Sequence, residues 1–122
     1  MYSWHFLSQF SCVNPPTIVL KRSSTVQCQY EKYLENIDVC LLSKIFGDEN
    51  KDIVLRDNDF PYNCEYGIKH RLVWIHPKYN GKTEELIKYI ESIGDNIIYF
   101  ENLDSNKSVK SIRHFHVFIK ND

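Results

Sequence analysis

The sequence lacks several features that would assign it to a broad class at once. Its 122 residues contain no run of about 18 apolar residues, which a transmembrane helix needs. The chain has 15 basic and 16 acidic residues, so its net charge of −1 provides no electrostatic footprint for nucleic acid or an anionic membrane. We therefore expect neither nucleic-acid binding nor membrane association.

Signals for export and for a zinc finger are also missing. Residues 1–10 carry no basic n-region, apolar h-region or small-residue cleavage site, which predicts a cytoplasmic location. The four cysteines form no close pair of the kind that holds structural zinc. Without an export signal we expect them to be reduced thiols.

The remaining composition is typical of one globular domain. Hydrophobic residues make up 43% of the chain, charged residues 25% and aromatic residues 14%. The length is that of one ordinary domain, which excludes a separate cofactor domain. No repeat or internal linker divides the chain. We therefore expect a single domain over residues 1–122, with residues 1–16 as an irregular N-terminal arm.

The spacing of apolar side chains predicts the helices. Apolar residues recur at helical spacing over 26–46, which predicts one long helix or two short ones, with Ser24 or Thr25 as the N-cap. A second, amphipathic helix is expected over 83–93, where Gly94 would cap its C-terminus.

Short apolar segments bounded by turn residues predict the strands. These segments are residues 52–55, 68–75, 96–100 and 112–120. The predicted fold class is therefore α+β: an N-terminal helical part, then a mostly antiparallel sheet of about four or more strands with one amphipathic helix.

The sharpest chemical feature is a His-x-His pair in the last predicted strand. His114 and His116 share one strand face, because side chains two residues apart point the same way. His70 lies in another predicted strand and joins them if the two strands are neighbours. Three imidazoles can hold a divalent metal such as zinc, or can act as acid and base around a phosphoryl centre. The alternative is that these histidines lie on a solvent-facing strand surface or are structural.

Two loops are candidates to complete this site. Asn58 and Asp59 can close a turn, or Asp59 can orient a histidine or bind a ribose hydroxyl. Polar residues that can cradle phosphate stand ahead of the last strand: Asn102, Lys107, Ser108 and Ser111. Such a loop is equally typical of an ordinary solvated turn.

Three motifs in this order resemble one known family. They are NDFPY at 58–62, IKHRLVW at 68–74 and SVKSIRHFHV at 108–117. The chain resembles, over about residues 18–120, the domain-of-unknown-function family typified by the fungal N-acetylglucosamine-induced proteins. Induction by an amino sugar points to sugar or sugar-nucleotide metabolism. The resemblance implies a site at these motif positions: Asn58, Asp59, His70, Asn102, Ser108, His114 and His116.

A looser likeness is to the histidine-triad nucleotide-binding proteins, whose strand, helix, strand and His-x-His order is similar. It implies a HIT-like arrangement in which His116 attacks phosphorus, His114 supports the strand and Ser111 faces the phosphate. The third histidine of that pattern is Phe118 here, and His70 is the candidate replacement from another strand.

The first functional hypothesis is an enzyme or binder for a nucleotide or sugar nucleotide. Its chemistry would be nucleotidyl or phosphoryl transfer or hydrolysis, with His116 as nucleophile or general base. His114, His70 and Asp59 would assist. Ligand binding would fall to five polar residues: Asn58, Asn102, Ser108, Ser111 and Lys107.

Two alternatives remain open at this point. In a metal-dependent hydrolase, His70, His114 and His116 would hold a divalent cation and Asp59 would lie near an activated water. In a non-catalytic module, the chain would bind a ligand or a protein partner, including a second copy of itself.

Overall fold

The computed structural model describes residues 1–35, 41–47, 51–107, 109 and 111–120. It confirms the α+β class, because N-terminal helices precede an antiparallel sheet and a further helix covers one face of that sheet. Within these residues, no helix is long and apolar enough to cross a membrane.

The described residues form four α-helices and four β-strands. The helices are α1 (Trp4–Leu7), α2 (Ser24–Glu35), α3 (Leu41–Phe46) and α4 (Thr83–Glu91). The strands are β1 (Ile53–Asp57), β2 (Ile68–Ile75), β3 (Ile97–Phe100) and β4 (Arg113–Lys120). Their order in the sheet is β1-β2-β4-β3, and every neighbouring pair is antiparallel. The two longest strands, β2 and β4, therefore lie at the centre.

The N-terminal arm contains a helix that sequence reasoning did not predict. The side chain of Ser3 accepts a hydrogen bond from the Phe6 N–H at 3.0 Å and so caps α1. This short helix buries Leu7 completely against the sheet. The expectation of an irregular segment is wrong for these residues, because one N-cap and an aromatic-rich turn are enough to form a helix that packs.

The predicted caps of the longer helices are also corrected. The Ser23 hydroxyl accepts from the Val26 N–H at 3.3 Å, so the cap lies one residue before Ser24. The helix predicted over 83–93 ends at Glu91, and Gly94 does not adopt the left-handed conformation of a capping glycine. The residues between α2 and α3 lie outside the described part of the chain.

Side-chain alternation gives the sheet two differently covered faces. One face packs against α4 in an apolar core: Val73, Ile75, Leu86, Ile90, Phe115 and Val117. The opposite face lies beneath the N-terminal helices. It contains two further apolar clusters, and the histidines of β2 and β4 lie on the same face. We call this second surface the histidine face.

Candidate functional site

The three predicted site histidines lie together on the histidine face. The register of β2 and β4 pairs Leu72 with His116 and Trp74 with His114, while His70 pairs with Phe118. The exposed fractions of His70, His114 and His116 are 5%, 6% and 4%. The alternative of a solvent-facing strand surface is therefore wrong, because helices and loops cover this face.

His70 and His116 form a direct hydrogen bond. Nε2 of His70 lies 2.8 Å from Nδ1 of His116, and the Tyr62 backbone N–H donates to Nδ1 of His70 at 3.1 Å. A neutral imidazole has one N–H, so His70 carries its proton on Nε2 and donates it to Nδ1 of His116. His116 must then carry its own proton on Nε2.

Asn102 completes this network. Its terminal amide lies 3.1 Å from Nε2 of His116 and 3.1 Å from the Tyr62 hydroxyl. Because Nε2–H of His116 needs an acceptor, we assign the amide oxygen of Asn102 to that position, where it also accepts from the hydroxyl. Both ring nitrogens of His116 are thus engaged inside the protein.

Burial keeps this histidine pair uncharged. Desolvation is the largest cause that lowers the pKa of His70, to about 3, and the nearby charge of Arg22 adds to it. Burial also places the pKa of His116 well below its ordinary value, with His70 as the next cause. At neutral pH both imidazoles are therefore fixed hydrogen-bonding groups.

His114 is bonded differently. Its Nδ1–H donates to the carbonyl oxygen of Ile112 at 3.0 Å, since a carbonyl can only accept. No group in the described part of the chain hydrogen-bonds to its Nε2. The ring packs against Trp74, with centroids 4.6 Å apart, and burial lowers the pKa of His114. His114 is thus a neutral imidazole whose Nε2 lone pair is not used by any described residue.

A cavity of about 390 Å³ opens over the histidine face. His114, His116 and Asn102 line it, whereas His70 lies outside the described wall. Aromatic side chains form much of the remaining wall: Tyr30, Tyr33, Phe60, Tyr62 and Trp74. The charged residues of the wall are Arg22, Lys44, Arg56, Asp57 and Asp59.

Arg22 is held rigidly at this wall. Its guanidinium carbon lies 4.0 Å from the centre of the Tyr30 ring, and its Nε donates to the Phe60 carbonyl at 2.7 Å. Within the described chain it has no carboxylate partner. The terminal nitrogens of a guanidinium held in this way can bind an anion. Sequence reasoning did not assign Arg22 a role, because two basic residues before a helix do not indicate which distant segments their side chains contact.

The loop of Asn58 and Asp59 reaches the site in part. The Asn58 side-chain oxygen accepts from the Phe60 N–H at 2.9 Å, which closes a turn, and its Nδ2 lies 3.3 Å from Nδ1 of His70. Asp59 lines the cavity but is exposed and has no hydrogen bond to a described histidine. The histidine tautomers are set instead by the Tyr62 and Ile112 backbones.

The loop ahead of β4 contributes less than its sequence suggested. Lys107 forms ion pairs with Glu101 at 3.3 Å and Asp104 at 3.1 Å, away from the cavity wall. Ser111 is exposed and does not line the cavity. Ser108 lies outside the described residues. Of the four polar residues predicted here, the structure places Asn102 at the site.

The three histidines are not arranged as a metal centre in the part of the chain that the structure describes. Among residues 1–35, 41–47, 51–107, 109 and 111–120, no group of three or more histidine, cysteine or carboxylate side chains is arranged to hold a metal ion. The physical reason is that His70 and His116 bond to each other, and Asn102 occupies the other nitrogen of His116. Three imidazoles on one face of the sheet are therefore insufficient for the predicted ligand set.

Comparisons with known proteins identify the family of this chain and a similar fold. The model of a family described as "Protein of unknown function (DUF3605)" matches residues 15–88 and 79–120. N-acetylglucosamine-induced protein 1 of Candida albicans is 34% identical over 95 aligned positions, which cover 62% of this chain and 37% of that protein. This chain thus spans just over a third of that relative. A crystal structure of HTC1 matches the whole chain and 86% of its own, with a TM-score of 0.67 at 18% identity, so it supports the fold alone.

Proposed function

This chain belongs to the family described as protein of unknown function (DUF3605), and because that description carries no activity, we propose a function from the cavity itself. The cavity binds a small anionic ligand of the nucleotide or sugar-nucleotide class. The observation that carries this proposal is the guanidinium of Arg22, which is fixed by Tyr30 and Phe60 and has no described carboxylate partner.

The chemistry of the wall supports this ligand class. An immobilised arginine suits a phosphate, because its fork of donors matches phosphate oxygens. Aromatic faces such as those of Tyr33 and Trp74 suit stacking against a base or a sugar ring. Asp57 is paired with Arg71 at 2.9 Å, which offsets one negative charge of the wall. The volume lies within the range of about 300–1,000 Å³ that is usual for small-molecule sites.

The binding step is the part of the proposal that the geometry favours most. The expected nucleophile, His116, has both ring nitrogens engaged, which argues against its attack on phosphorus. The histidine-triad likeness, which rests on the order of sequence motifs alone, therefore suggests a ligand class for the proposal and no mechanism. A cytoplasmic location belongs to the same proposal, since ligands of this class are found there.

The test is calorimetric titration of the purified chain with nucleoside mono- and diphosphates and UDP-N-acetylglucosamine, with and without Mg²⁺. The panel also includes N-acetylglucosamine 6-phosphate, because the Candida albicans relative is named for induction by N-acetylglucosamine. We expect at least one ligand to bind, and Arg22→Gln to weaken binding about tenfold or more, as for loss of a charge-assisted hydrogen bond.

Lys21→Gln is the matched control, because Lys21 directly precedes Arg22, is exposed and does not line the cavity. It should leave the affinity unchanged. Absence of binding across the panel, or equal affinities for the wild type and Arg22→Gln, would contradict the proposal.

A further inference from the structure

The histidine face holds one imidazole nitrogen to which no described residue hydrogen-bonds. His70 and His116 have every ring nitrogen satisfied by protein groups. His114 uses Nδ1 on the Ile112 carbonyl, and no described group bonds to its Nε2. The three residues share one residue type, one sheet face and nearly the same burial, so this difference is specific to His114.

Nε2 of His114 is open to the cavity, because among the described residues it is not one of the solvent-inaccessible side-chain atoms that lack a partner. Polar atoms inside proteins are almost always hydrogen-bonded to protein groups or to water, so an accessible acceptor at a cavity wall is a ready partner for a donor in the cavity. His114 is more than nine-tenths buried, and it lines the cavity that contains Arg22. A donor group of a molecule that enters the cavity can therefore reach this nitrogen in place of water.

We propose that Nε2 of His114 accepts a hydrogen bond from a hydroxyl or N–H group of the ligand, so that the cavity selects ligands carrying such a donor as well as an anionic group. This inference rests on the function proposed above and makes His114 a specificity-determining residue. Arg22 would recognise charge and His114 would recognise the donor.

The surroundings of His114 support its role as an acceptor. The hydrogen bond to Ile112 fixes the proton on Nδ1, which leaves the lone pair on Nε2. Burial is the largest cause of the lowered pKa of His114 and Lys107 adds to it, whereas the hydrogen bond to Ile112 and the charge of Glu101 raise the pKa by less, so the ring is neutral at neutral pH. A neutral acceptor cannot attract an anion, so His114 and Arg22 make different demands on a ligand.

The first measurement needs no ligand. Long-range ¹H–¹⁵N spectra of the labelled protein report which ring nitrogen of each histidine carries the proton. We expect an Nδ1–H tautomer for His114 and Nε2–H tautomers for His70 and His116 at neutral pH. An Nε2–H tautomer or a charged ring at His114 would overturn the proposal.

The second measurement compares two probes: sulfate, an anion with no donor, and UDP-N-acetylglucosamine, an anion with several. We expect Arg22→Gln to weaken both, and His114→Phe to weaken the sugar nucleotide about tenfold while sparing sulfate. Equal effects of His114→Phe on both probes, or no effect on either, would overturn the inference. If Arg22→Gln affects neither probe, it is the proposed function that fails.

Folding of the variant is checked by its thermal unfolding and by the spectra of the remaining histidines. Phenylalanine matches the size of the imidazole beside Trp74, but it leaves the Ile112 carbonyl without its donor. If His114→Phe does not fold, the tautomer measurement on the wild type and the binding of a donor-free analogue decide the question. The inference is then overturned by a deoxygenated sugar nucleotide that binds as tightly as the parent.

Discussion

The buried pair of His70 and His116 makes the free energy of unfolding of this protein depend on pH. The fold holds the pKa of His70 at about 3, whereas the same side chain has a pKa of 6.5 when unperturbed. Between these two pH values, the His70 imidazole is protonated in the unfolded chain and neutral in the folded chain. The free energy of unfolding therefore rises with pH across the window from 3 to 6.5 and is lost as the pH falls through it.

The size of this effect follows from the two pKa values. For His70 alone, lowering the pH from 8 to 5 removes about 2 kcal/mol from the free energy of unfolding, and the loss approaches about 5 kcal/mol below pH 3. His116 shifts in the same direction and adds to the loss. Since small domains are stable by about 5–15 kcal/mol, this loss is a measurable fraction of the free energy of unfolding.

Urea unfolding followed by tryptophan fluorescence at pH 8, 6 and 5, at constant ionic strength, measures this dependence. In His70→Gln the amide can still accept from the Tyr62 N–H and donate to His116, but it does not titrate. The free energy of unfolding should differ between pH 8 and pH 5 by about 2 kcal/mol less in this variant than in the wild type. His5→Gln, on the exposed surface of α1, is the matched control.

The reasoning would be refuted by a wild-type free energy of unfolding that changes by less than about 0.5 kcal/mol between pH 8 and pH 5, which is within the extrapolation error. An unchanged pH dependence in His70→Gln would show that other groups carry the effect.

The remaining predictions concern residues at the edge of the network. Asn102→Ala should lower the free energy of unfolding by about 1–3 kcal/mol, because the Nε2–H of His116 and the Tyr62 hydroxyl lose their partner; a loss below about 0.5 kcal/mol in urea unfolding would contradict this network. Lys107→Gln should change ligand affinity less than about twofold, because its ion pairs with Glu101 and Asp104 lie away from the cavity and are worth little. If calorimetric titration shows that this variant binds the ligand as weakly as Arg22→Gln, the prediction is contradicted and Lys107 belongs to the binding site.

The strands were predictable because their signal is local. The predicted strand over 68–75 has the same bounds in the structure, and 112–120 differs from β4 by one residue. Alternation of side chains is a property of the strand's own pleat, so the shared face of His114 and His116 needed no tertiary information. The neighbouring position of His70 was a condition in the sequence argument, and the β2–β4 pairing supplied it.

The loop residues were harder to predict for the opposite reason. Lys107 and Ser111 were assigned to the site because they stand close to His114 along the chain. A loop has no period that fixes where its side chains point, and here they pair with other loop residues or face solvent. Arg22 reaches the cavity through its contact with Phe60, 38 residues away, which no local pattern could indicate.

The fold class, the strands and the face that holds the histidines follow from local sequence patterns, since each depends on side chains a few residues apart. The difference between His114 and His116 exists only in the folded protein, although they stand two positions apart on one strand. His116 is bonded to His70, 46 residues away, and to Asn102, whereas His114 bonds to the nearby Ile112 carbonyl and keeps its second nitrogen open. Tautomer and charge depend on burial and on hydrogen-bond partners, and these are set by segments that meet only when the chain folds.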